Sequence, residues 1–214
     1  AFYSGGAQQS YYAWTWGAAL FIVLDPYTFT PAQRGTGDNW IRTLGDEQYA
    51  WLKRTLETSD AQWKFVFVHQ LVGGEGKDGR GGVEAAPYFE WGGQNVDGTW
   101  GFDQYRSGWA MPIHQLLVAH QVTAVFHGHD HLFVKQELDG IVYQAVPQPS
   151  SARANATDSA ANYGYVSGDV LGSPGYLRVT VTPEQVKIEY VRTYLPEKPD
   201  QQNGQVDYTY TLAP

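Results

Sequence analysis

The sequence predicts a layered α/β domain that ends in an antiparallel β tail. Three observations predict it. Runs of β-forming residues in the first two thirds alternate with segments of helical periodicity. Consecutive hairpin signals fill the last third. The chain has 214 residues, 43% hydrophobic and 17% charged, enough to bury a sizeable core and too apolar for wholesale disorder.

The first ten residues are polar and rich in Gly and Gln, and no element is predicted there. They also lack an initiator Met, a basic n-region and an apolar h-region, so no targeting signal is visible. Tyr11 to Trp16 alternates, Gly17-Ala18-Ala19 turns, and Leu20 to Leu24 reads as a buried strand, so this stretch predicts a hairpin that Asp25-Pro26 ends. A polar loop runs to about residue 44. Gly45-Asp46-Glu47-Gln48 then opens a helix, with acids in its first turn and apolar Tyr49, Leu52 and Leu56 at helical spacing. Trp63 to Val68 is a strand with His69 at its carboxyl end. Residues 71–108 form a long insertion rich in Gly and aromatics; Tyr88, Phe89, Trp91, Trp100, Phe102 and Tyr105 favour an ordered lid or rim. Met111 to His120 is a short helix with Pro112 in its first turn, and Val122 to Phe126 is a strand that runs into His127-Gly128-His129-Asp130-His131. Leu132 to Leu138 and Ile141 to Val146 flank Asp139-Gly140, the strongest hairpin signal in the chain. After a Pro/Ser/Ala/Asn-rich loop over about 147–174, Tyr176 to Val181 pairs with Val186 to Tyr194, and Val206 to Leu212 closes the tail. No repeat or linker demands a second domain, so residues 1–214 are read as one.

Composition removes several functions. With no cysteine, disulfides, thiolate nucleophiles and Cys-ligated zinc are excluded. The net charge of −8 offers no basic stripe for a nucleic-acid backbone. No apolar run is long enough for a membrane helix. Absence of cysteine does not fix the compartment; the expectation is an exported bacterial protein, periplasmic or extracellular.

Three of the six histidines fall within five residues. In extended backbone, residues i and i+2 point to one side, so His129 and His131 are expected on a common face as two metal-ligating imidazoles, with His127 on that face too. His69 also ends a strand, and ligand sites of α/β sheets gather at the carboxyl ends of strands.

Val68-His69 after one strand, then a strand ending in Gly128-His129-Asp130-His131, resemble the last two signature blocks of the calcineurin-like metallophosphoesterases. Phe21-Ile22-Val23-Leu24-Asp25 resembles the segment after the third block. The resemblance implies a metallophosphoesterase-type β-sandwich flanked by helices, and hydrolysis of phosphoesters at two divalent or mixed-valence metal ions (Fe, Zn or Mn). It also implies that His69 and His129 hold one ion and His131 the other. The earlier blocks, Asp-X-His, Gly-Asp and Gly-Asn-His, do not occur in this sequence. The chain thus corresponds to the C-terminal half of such a domain. Its expected partner is the upstream N-terminal half, from the same gene or a companion chain, and the piece alone is expected to be inactive.

His127 and Asp130 are the candidate catalytic residues. His127 reads as a support for a ligand, a substrate contact or a plainly buried histidine, and Asp130 as a carboxylate that orients a ligand through a hydrogen bond. Arg80, in Gly79-Arg80-Gly81-Gly82, is the candidate for a phosphate oxygen or a solvated loop arginine. His114 and His120 read as structural. Asn155-Ala156-Thr157 matches a glycosylation triplet of the kind that arises by chance. Two alternatives stand beside phosphoester hydrolysis: a non-catalytic secreted β-rich binding or assembly module with a partial metal site and, ranked lower, a metallo-β-lactamase-type hydrolase. The hallmark of the latter, His-X-His-X-Asp-His, needs one more residue than this segment has.

Overall fold

The structure, a computed structural model, describes residues 2–4, 10–31, 39–76, 78–196 and 201–214. Most of the polar amino-terminal stretch lies outside them, but β1 (Phe2–Ser4) is a short strand where none is predicted. It pairs with β2 (Tyr12–Trp16), which forms the expected hairpin with β3 (Ala19–Val23). Gly17 makes the turn at φ 58°, in the left-handed region that glycine reaches without a steric penalty. Asp25 closes the segment as an Asx turn, its carboxylate accepting from Tyr27 N at 2.7 Å and from the hydroxyls of Ser10 and Thr28.

Helix α1 (Gly45–Glu57) carries Asp46 and Glu47 at its positive end and buries Tyr49, Leu52 and Leu56 as the periodicity requires. It leads to β4 (Trp63–Val68). Helix α4 (Ile113–Ala119) leads to β5 (Ala124–His127), and β6 (Leu132–Leu138) turns at Asp139-Gly140 into β7 (Ile141–Ala145). A further strand, β8 (Asp169–Gly172), lies in the stretch read as loop and pairs with β6. Its four residues are too few to show alternation in sequence.

These strands form one mixed sheet in the order β1-β2-β3-β4-β5-β7-β6-β8. The centre, β3, β4, β5 and β7, is parallel, and both margins are antiparallel. The tail strands β9 (Gly175–Val181), β10 (Val186–Arg192) and β11 (Val206–Leu212) make a second, antiparallel sheet.

Alternation along the central strands sends side chains to two different layers. Leu20, Ile22, Val66 and Val125 pack on the helical layer with Leu52 of α1 and Leu116 of α4. Trp63, Phe65, Ala124, Phe126 and Val142 pack on the second sheet through Val186 and Ile188. Both faces of the central strands are therefore covered, which is why their sequences read as unbroken apolar runs. The expected layered α/β fold is present.

Residues 71–108 contain two single-turn helices, α2 (Phe89–Gly92) and α3 (Phe102–Tyr105). Their aromatics were expected on a lid or rim, yet Phe89, Trp91 and Phe102 are core. They share one core cluster with Leu52 of α1 and Leu116 of α4, and Trp91 Nε1 donates to Tyr143 OH at 3.0 Å. Among the described residues, the margin of the opposite face at β2 and β3 is the less covered part. There Trp14 stacks on Phe21 at 5.0 Å, both half-buried, and Trp16 is 79% exposed.

Candidate functional site

Neighbouring parallel strands β4 and β5 end together, Val68 standing opposite His127. One residue beyond, Gly128 N donates to His69 O at 2.9 Å, which ties the two chain ends to each other. Next to this tie His69 Nε2 and His129 Nδ1 lie 3.1 Å apart, with ring centroids 5.1 Å apart and planes crossed at 69°. The Tyr27 ring stands 5.6 Å from His69. A cleft of about 250 Å³ opens at these strand ends, walled by Leu24, Phe67, His69, Phe126, His127 and Val146.

His129 and His131 were expected to alternate as in a strand. They do not, because β5 stops at His127 and the following residues turn: His129 has φ 69° and His131 φ 56°. Asp130 N donates back to Gly128 O at 2.8 Å, closing a tight turn. Left-handed residues break the rule that i and i+2 share a face, so His129 meets His69 while His131 stays exposed.

Burial lowers the pKa of the rings near the centre. His127 is 2% exposed, and burial pushes its pKa down to about 4 against the opposing pull of the Asp130 charge. Burial also lowers His69, with a further push from His131. It lowers His129 likewise; Asp130 opposes, while Arg80 and His69 add to the depression. Neutral imidazole is the form with a lone pair free for a cation. His127 Nε2 and His129 Nε2 are buried without a hydrogen bond of normal geometry, although the backbone of Asp78 favours a proton on His129.

Asp130 is buried. Its carboxylate accepts from Arg80 Nη1 at 2.7 Å, Gly81 N at 3.1 Å and Tyr165 OH at 2.8 Å. The Arg80 guanidinium lies 4.0 Å over the Tyr163 ring, and its side chain is 26% exposed. Tyr165 lies 35 positions from Asp130 in a loop whose composition gives no hint of a site. The glycines Gly76 and Gly79, by contrast, hint at the chain reversal whose bridge between Glu75 and Arg80 brings the guanidinium here.

Two nitrogens bound to one ion at about 2.1 Å would stand about 3.0–3.4 Å apart. The spacing of His69 and His129 suits two ligands of a single ion. The rest of a cluster is missing: Asp130 is spent on its own partners, and among the described residues no three His, Asp or Glu side chains form a group that could hold a metal. The residues present do not fit a two-metal centre by themselves.

No family model and no curated protein matches the chain. Among solved structures it is similar to GAP50, described as the anchor in the inner membrane complex of Plasmodium, with TM-score 0.53 and 14% identity over 95% of this chain and 53% of that one. It is similar to the purple acid phosphatase PPD1 of yellow lupin (Lupinus luteus) seeds, with TM-score 0.53 and 16% identity over 95% of this chain and 32% of that one. The chain thus spans about half the length of the first and about a third of the second. At these identities the likeness speaks to architecture alone. The chain has a mixed α/β, metallophosphoesterase-like fold.

Proposed function

We propose that this chain is one portion of a phosphoesterase-type hydrolase and contributes a histidine pair to a site that a second segment completes. The observation that carries the reading is the 3.1 Å contact of His69 with His129 at the ends of adjacent parallel strands, where α/β sheets place their ligand sites. The scaffold shared with a purple acid phosphatase supports the reaction class. In this reading His69 and His129 are ligands, and His131 joins them once the missing carboxylates arrive. His127, neutral and buried, walls the cleft. Arg80 is the cation placed to meet a phosphoryl oxygen with its outward edge. The two metal ions belong to the completed site.

The second segment is the upstream half of the same domain, from the same gene or a companion chain. Its seat is the open sheet margin at Trp14, Trp16 and Phe21, which continues the sandwich interface that β9 to β11 cover only in part.

A non-catalytic assembly module is the second reading. The lack of a three-ligand group among the described residues favours it, as does the equal likeness to GAP50. Titration calorimetry with Zn²⁺ on the full chain separates the two. The hydrolase reading expects one site weakened at least about 10-fold in His69→Ala and in His129→Ala. Binding indifferent to both substitutions, or none, favours the module.

A further inference from the structure

The segment 128–131 has an unusual burden: two non-glycine residues in left-handed conformation, His129 and His131, flank a single buried carboxylate. Such backbone persists only where its surroundings over-determine it. Asp130 is tied to two separate loops. Arg80 and Gly81 reach it from the Gly-rich hairpin, Tyr165 reaches it from the loop before β8, and Arg80 also stacks on Tyr163 of that second loop. The loops are latched to each other a second time by Glu84, which accepts from Val166 N at 3.1 Å and Ser167 N at 2.9 Å. On the far side, Ser173 Oγ donates to His131 O at 2.6 Å.

We infer that Asp130 is a positioning residue. Held by Arg80, Gly81 and Tyr165, it locks the left-handed turn that presents His129 Nδ1 to His69 Nε2. The inference uses the proposed site as its setting, but its content is the geometry of the pair and not what the pair binds. An aspartate suits the task because one carboxylate can accept from a guanidinium, an amide and a phenol at once, and a buried carboxylate needs such a cation and such donors. Within the turn the Asp130 N to Gly128 O bond closes the backbone, and these anchors, with Ser173 at His131 O, hold two side-chain-bearing residues at positive φ. Asp130, Gly81 and Tyr165 are not among the residues that wall the cleft, so Asp130 acts on the pair and not on a ligand.

The test is imidazole ¹⁵N–¹H correlation on metal-free, ¹⁵N-histidine-labelled full chain. The wild type is expected to show the proton shared by His69 and His129. Asp130→Asn should lose that signal and Tyr165→Phe should weaken it, while the separate His114–Tyr143 signal, from a 2.7 Å bond remote from the turn, stays in place and reports an intact fold. Asp158→Asn, which breaks only an exposed ion pair with Arg153, should change neither. An unchanged His69–His129 signal in Asp130→Asn overturns the inference, as does its absence from the wild type. If Asp130→Asn does not fold, Tyr165→Phe decides by the same criterion. Zn²⁺ titration is a separate arm: a wild type that binds no Zn²⁺ sinks the hydrolase reading and leaves the positioning result standing. If Zn²⁺ binds, Asp130→Asn should weaken it by about 10- to 100-fold.

Discussion

His69 Nε2 and His129 Nδ1 lie 3.1 Å apart across 60 positions of sequence, and the backbone tie from Gly128 N to His69 O holds them there. A pair brought together by two adjacent strand ends is rigid where it needs to be. It is still only a pair, and that decides what the isolated chain can do.

Purified alone, the chain should show little or no chelator-sensitive hydrolysis of p-nitrophenyl phosphate, since among the described residues no carboxylate joins the histidines in a metal-binding group. Adding a segment that bears Asp-X-His, Gly-Asp and Gly-Asn-His blocks should restore turnover. In the restored protein, His131→Ala should cost several orders of magnitude in rate. Trp16→Ser should block restoration while changing the stability of the isolated chain by less than about 0.5 kcal/mol, because that ring is exposed until something covers it. Strong hydrolysis by the isolated chain would sink this account.

Stability should fall with acid through His127. Its folded pKa, about 4, lies below the ordinary 6.5, so the unfolded chain takes up the proton first as pH drops. The contribution is whole above about pH 6.5, is lost progressively toward pH 4, and amounts to about 3 kcal/mol. Urea unfolding from pH 4 to 7 checks it: His127→Gln should flatten the slope over that window, and an unaltered slope would place the acid sensitivity elsewhere.

Tyr143 OH accepts from Trp91 and bonds His114 Nδ1 at 2.7 Å, deep under the sheet. Tyr143→Phe should leave Trp91 Nε1 and His114 Nδ1 buried without this partner, while His114 Nε2 keeps Asp139, at a cost of about 1–3 kcal/mol. A thermal midpoint within error of wild type would show that water takes over these bonds.

Glu90 is fully buried, with Arg106 Nε at 2.5 Å and Leu44 N at 2.8 Å. Arg106→Leu strands that carboxylate and should cost about 3–5 kcal/mol. Adding Glu90→Gln should recover part of the loss in denaturant titration; no recovery would assign the effect to lost packing of Arg106 on Trp40 and Trp109.

Much of the fold is legible without coordinates. The apolar runs of β4 and β5, the spacing of Tyr49, Leu52 and Leu56 in α1, and Asp139-Gly140 between β6 and β7 are local signals, and each element forms where its signal stands. His69 and the segment 127–131 also declare themselves, since histidines at strand ends are written in the order of residues. What the sequence by itself determined is therefore the periodic elements and the residues at their ends. Tertiary structure alone decided the geometry with which those residues meet. The i, i+2 rule put His129 and His131 on one face, but their left-handed backbone breaks it; His129 meets His69, the histidine that the family resemblance groups with it. Tyr165 and the short strand β8 leave no trace in local pattern, and Phe89, Trp91 and Phe102 turn inward to pack with the helical layer. Periodicity reports the environment of one element at a time; a carboxylate shared by two loops, or a ring that packs on another element, depends on contacts between segments that no local pattern contains.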